Sequence, residues 1–187
     1  MKRGIKFLLI ADSLINLSLG MIGPIYAIFV ERIGGDILDA SWAYFVYMFS
    51  SGLIMFLISK WEDHIKHKEK LVFLGYFLTS MGCLSYIFVY NQLTLLVTQV
   101  VLGIATALLN PAFDALYSHY IIKKEEASDW GSWESLGYIV TAIAALVGGY
   151  LVTYLSFKYL FFVMFLVSLI GAFVSLNLFR NKNYLNS

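Results

Sequence analysis

Six polar side chains interrupt the long apolar runs of this 187-residue sequence: Asp12, Asn16, Gln99, Asn110, Asp114 and Glu134. A charged group at the centre of a bilayer costs about 2.5–3.5 kcal/mol on insertion scales, so an ionisable residue there faces a cavity or a partner. Asp12 and Asn16 are four residues apart, as are Gln99 and Gly103, and Asn110 and Asp114, so each pair shares one helix face. At about 1.5 Å per residue, Asp12, Asp114 and Glu134 each lie about 6–10 Å in from the same membrane boundary, near enough to form one acidic cluster. Two carboxylates held together away from water, Asp12 and Asp114, are suited to binding a proton or a cationic group. Alternatively, Glu134 serves the positive N-terminal end of its helix and Asp114 lies close enough to the boundary to stay wet. Few positive charges within the apolar runs argue against an anionic ligand, whereas Tyr26, Tyr44 and Tyr47 offer ring faces compatible with a cationic or amphipathic one.

Other chemistries lack the residues to carry them. His64, His67 and His119 all fall at the edges of apolar runs, and no glycine-rich phosphate loop or cluster of metal ligands is present in the sequence. An enzyme, a metal site and a bound cofactor are therefore not expected. Cys83, the single cysteine, lies inside an apolar run and reads as a small core residue. Asn110-Pro111-Ala112 spells the signature of water channels, which use two copies at the tips of half-helices. A single copy inside one long run reads instead as a helix proline that frees a carbonyl and bends its helix.

The elements that must hold these residues follow from composition and length. Hydrophobic residues make up 60% of the chain and charged residues 13%, with a mean hydropathy of +0.77, more apolar surface than a soluble fold of this size can hide. The bilayer is the expected partner, and a net charge of +1 gives no reason to expect nucleic acid. About 20 apolar residues cross the hydrocarbon core as a helix, which places spans at 7–30, 42–59, 71–90, 93–120, 130–154 and 159–179 within a single domain, 1–187. The first run is too long for a secretion signal and lacks a small-residue cleavage site. With the N-terminus cytoplasmic, Lys2, Arg3, Lys6, Lys60, Lys66, Lys68, Lys70, Lys123, Lys124, Arg180 and Lys182 all lie inside, and only Arg32 and Lys158 outside.

An internal repeat runs through this pattern. Residues 71–82 align without gaps on 160–171, matching span three to span six, and Pro24 and Pro111 each follow a glycine-containing stretch in spans one and four. Small residues at Gly20, Gly23, Gly103, Ala107, Gly148 and Gly149 allow close helix approach, the main packing device in lipid.

The segment Ser59-Lys-Trp-Glu-Asp63-His64-Ile-Lys66-His-Lys68-Glu69-Lys70 resembles the loop signature of the major facilitator superfamily, Gly-x-x-x-Asp-Arg/Lys-x-Gly-x-Arg/Lys-Arg/Lys, with Asp63 and Lys68 in register. Gln99-x-x-x-Gly103-x-x-x-Ala107 resembles that family's Arg-x-x-x-Gly-x-x-x-Ala element, the arginine replaced. Ala144-Ala-Leu-Val-Gly148-Gly149 resembles its antiporter element, with Ala145 in place of proline. The resemblance covers almost the whole chain. It implies an all-α integral membrane fold of six transmembrane helices, a 3+3 inverted repeat of the N-terminal-bundle type, in a cell (inner) membrane with both ends cytoplasmic. It further implies alternating access on a small molecule, with Asp63 and Lys68 in a gating loop. One such bundle supplies half a site, so a homodimer or a second six-helix half is expected. The alternative is a non-transporting scaffold or a fragment of a 12-helix protein.

Overall fold

Capping side chains and one proline decide where the long apolar runs become helices. In the computed structural model, which describes residues 3–121, 124 and 126–180, α1 spans Arg3–Gly20 and α2 Tyr26–Arg32. They are followed by α3 (Ile37–Asp63), α4 (Lys68–Ser85), α5 (Gln92–Tyr120), α6 (Glu126–Tyr154) and α7 (Phe157–Ser175). Lys2, Lys123 and Lys182, three of the residues bearing on orientation, lie outside the described residues.

Six helical runs are long and apolar enough to cross a membrane, α1 and α2 together making the first. That first run is not the continuous helix expected over 7–30. It breaks between Gly20 and Tyr26, where Gly23–Ile25 form a 3₁₀ turn with Pro24 in its first positions. Proline cannot donate to the preceding turn and clashes with it, so the ladder stops there. By contrast, Pro111 is accommodated inside α5.

The second run starts at Ile37 rather than near Trp42. Asp36 caps it by accepting from the Leu38 and Asp39 amides at 2.8 and 2.9 Å, while Asp39 accepts from the Asp36 amide at 3.0 Å, a reciprocal capping box. Gly34, at φ +85°, makes the left-handed turn that leads into it. Asn91 caps α5 in the same way, accepting from the Thr94 amide at 2.9 Å. The short link between α4 and α5 makes those two helices antiparallel neighbours, and an even number of spans returns the chain to its starting face.

Packing is ordered around α1 and α5. α1 lies against α6 and α7, α5 lies against α3 and α4, and α4 meets α7 behind them, while α1 and α5 touch each other little. Exchanging the first three spans for the last three maps these principal contacts onto themselves. α3 and α6 are the outer helices: 11% of the apolar window of each is buried, against 50% for the run containing α4. Two clusters fill the interior, one around Leu8, Tyr76, Phe113 and Tyr117 toward the chain ends, the other around Phe29, Cys83, Tyr86 and Phe161 toward the opposite face.

Small residues set the helix separations. A Cβ on Gly20 would come within 2.9 Å of the Ala144 Cβ, and one on Gly148 would land on the Met21 carbonyl. One on Gly103 would strike Ser50 and approach the Tyr47 carbonyl to 3.0 Å, and Ala107 is fully buried. Gly23 and Gly149 differ from the expectation, since a Cβ on either meets open space. Gly23 belongs to the turn before Pro24, and Gly149 points about 100° round α6 from Gly148, away from α1.

Candidate functional site

The polar residues of the spans gather into two centres. The first is Asp12, half-buried in α1. Asn16, one turn on, donates from Nδ2 to Oδ2 at 2.9 Å, and Trp133 of α6 donates from Nε1 to the same oxygen at 2.8 Å. The Tyr76 hydroxyl of α4 donates to Oδ1 at 3.3 Å. Three helices thus converge on one carboxylate, and no described Lys, Arg or His forms an ion pair with it. A hydroxyl can donate to a carboxylate or accept from a carboxylic acid, so this network serves either protonation state.

An aromatic cluster encloses Asp12 on one side. The Tyr117 ring lies 4.9 Å from Trp130 and 5.8 Å from Trp133, and Phe113 lies 5.4 Å from Trp133. The Tyr117 hydroxyl donates to the Asp129 carbonyl, tying α5 to α6.

The expected acidic cluster is only partly assembled. Asp114 is exposed, though within electrostatic range of Asp12, and Glu134 is exposed beside Asn16 and Trp133 in a shallow depression of about 270 Å³. Asn110 is exposed on α5 one turn before Asp114.

Gln99 belongs to a second centre, a cleft of about 290 Å³ on the half of the bundle away from the chain ends. Leu19, Ile22 and Tyr26 wall it from the first span, Tyr44 and Tyr47 from α3, Thr79 from α4, Tyr86 from the 3₁₀ turn that follows α4, and Gln99, Leu102 and Thr106 from α5. Gln99 is 4% exposed, and its Nε2 donates to the Tyr26 hydroxyl at 2.7 Å and the Tyr86 hydroxyl at 2.9 Å. The Tyr47 and Thr106 hydroxyls are 3.0 Å apart and share a second hydrogen bond. Among the described residues, no Asp, Glu, Lys, Arg or His lines the cleft.

The turn between α3 and α4 is shorter than the loop expected from the sequence. Asp63 is the last residue of α3 and exposed, whereas Lys68 is the first residue of α4 and donates from Nζ to the Glu62 carbonyl at 3.1 Å. The buried acids here are their neighbours. Glu62 is 3% exposed with no hydrogen bond to its carboxylate from the described residues, and Glu69, equally buried, accepts from His67 Nδ1 at 3.0 Å.

Tyr76, Tyr86 and Trp133 are among the site residues that sequence reasoning passed over. Their partners lie 64, 13 and 121 residues away, and a polar tip on an aromatic ring gives no periodic signal of its own. No grouping of His, Cys, Asp and Glu among the described residues could hold a metal ion.

Comparison with known proteins bears on the whole chain. No individual curated protein matches it. The sequence model of the Major Facilitator Superfamily matches residues 8–185, a stretch that takes in all but the first four residues of the six membrane-length runs, and both polar centres. With that match over nearly its full length, this multi-pass membrane protein belongs to the Major Facilitator Superfamily.

Proposed function

We propose that the chain is one six-helix half of a secondary transporter that moves a small molecule by alternating access, completed by a second copy or by a separately encoded half. Family membership implies a transporter. The observation that carries the rest is the pair of polar centres, a neutral polar cleft walled by α1, α3 and α5 and, farther along α1, an acid held by three donors. Substrate occupies the cleft, and Asp12 with Asp114 takes up the coupling proton or cation. Seven residues of α1 separate Asp12 from Leu19, about 10 Å, so the two sites are distinct yet joined by one helix. The packing pattern that survives exchange of the first three spans for the last three supports a three-plus-three organisation of this bundle, which rocks against the other half around a site at their interface. The protein is not an enzyme on this reading. It sits in the inner membrane with both ends cytoplasmic, as the basic residues favour.

Proteoliposomes containing the pH dye pyranine test the coupling. Solutes that enter should carry protons with them, and Asp12→Asn should abolish the proton signal and flatten the pH dependence of uptake, with a smaller effect from Asp114→Asn. Uptake with an unchanged pH profile in both variants would remove the acids from the mechanism.

A further inference from the structure

The hydrogen-bonding capacity of the cleft identifies the class of solute it fits. Gln99 is almost wholly buried, yet its amide does not close its own network. An amide brings two donor protons and each phenol brings one. The contacts with Tyr26 and Tyr86 consume two of these four protons and leave two to offer. The count is the same whichever way the amide is turned: with Nε2 toward the phenols the two hydroxyl protons remain, and with Oε1 toward them the two amide protons remain. The Tyr47 and Thr106 hydroxyls similarly spend one proton on each other and keep one. Gln99 and Thr106 are seven residues apart on α5, the same face about 10 Å along, with Leu102 between them.

We infer that the cleft takes an uncharged amphipathic solute, with an apolar ring or chain against Leu19, Ile22 and Leu102 and acceptor oxygens toward Gln99 and Thr106. This deepens the transport reading and rests on it for the word substrate. Charge is what the cleft refuses. Tyrosine faces attract a cation only weakly, whereas stripping water from an unpaired ion costs far more, and among the described residues the cleft holds no carboxylate to offset that cost for a cation and no basic group to offset it for an anion. The tyrosines that made a cationic ligand attractive from sequence therefore serve as hydrogen-bonding walls, and Asp12, on a different part of α1, is outside the lining.

Three compounds of one shape decide the matter: benzamide, benzoate and benzamidinium, which share the ring and planar head but differ in charge. Binding to the full chain in lipid nanodiscs is read by equilibrium dialysis at neutral pH. Benzamide should bind saturably, and the two ions at least about tenfold more weakly. Gln99→Leu should weaken benzamide by about tenfold, the effect of one lost buried hydrogen bond. Tyr26→Phe, which removes one proton without emptying the network, keeps the test available if Gln99→Leu fails to fold, and should weaken benzamide several-fold. Phe56→Leu, on the exposed face of α3 and outside the lining, should leave all three affinities unchanged. Tighter binding of either ion, no saturable binding of benzamide, or benzamide binding indifferent to both cleft variants overturns the assignment. Selective benzamide binding without flux of any solute in proteoliposomes would sink the transport reading while leaving the class of ligand standing.

Discussion

At the residue scale, Asp12 decides between a packing role and a chemical one through its partners. Trp133 reaches it across the α1–α6 contact, which α6 makes with few buried residues of its own, chiefly Ala144 and Gly148. In lipid the apolar driving force between helices is weak, so a polar link of this kind carries a larger share of association. Such links measure about 0.6 kcal/mol on average and up to about 1.7 kcal/mol in membrane proteins. The short Trp133 bond to a carboxylate belongs above that average, because charged partners make stronger hydrogen bonds. A double-mutant cycle with Asp12→Leu and Trp133→Phe, followed by unfolding in mixed micelles, should give a coupling of about 1 kcal/mol. A coupling within error of zero would make the two side chains neighbours only.

Two adjacent glycines carry the comparison at the scale of elements. Gly148 lets the α6 backbone approach Met21 so closely that a Cβ there would collide with the carbonyl, whereas Gly149 faces open space. Gly148→Ala must push α6 away from the first span, a kind of overpacking that costs about 1–3 kcal/mol. Gly149→Ala in the same helix should be neutral or stabilising by about 0.5–1 kcal/mol, since alanine restricts the unfolded chain and favours the helix. Thermal melts of the two variants in one detergent check both signs, and equal destabilisation would mean the α1–α6 approach does not depend on Gly148. Spans of this length were legible in the sequence because hydrocarbon thickness dictates about 20 apolar residues whatever the fold. Their ends were not, because they depend on single side chains. The box of Asp36 and Asp39 extends α3 by more than a turn beyond its apolar run, and Pro24 divides the first. The candidate site divides the same way. Asp12 with Asn16 was readable as a helical pair, since spacing along one helix is local. Its meeting with Tyr76 and Trp133, and the separation of Gln99 from the acids, depend on how distant helices pack.

Over the whole molecule, the exposed surface is of two kinds. Phe56 at 79% exposure and Ile143 at 53% belong to helices with little buried surface, as residues facing lipid do. Asn110, Asp114 and Glu134 are exposed as well, and an amide and two carboxylates in hydrocarbon would cost several kcal/mol together, so the surface they share faces water or a second bundle. Cysteine labelling separates the two. The native thiol of Cys83 is buried and gives a low background. In sealed vesicles of either orientation, Asn110→Cys and Glu134→Cys should react with a charged, membrane-impermeant maleimide at least about tenfold faster than Phe56→Cys, since a thiol in lipid neither ionises nor meets the reagent. A copper-phenanthroline treatment of Glu134→Cys then distinguishes water from a second copy. Disulfide-linked dimers at that position and none at Phe56→Cys would place a copy of the chain against the polar face. Rapid maleimide labelling without dimers would assign the other side to a different half. Equal labelling of Asn110→Cys and Phe56→Cys would show that the polar face is no more hydrated than the lipid face, and a cavity between α1 and α5 would then have no support.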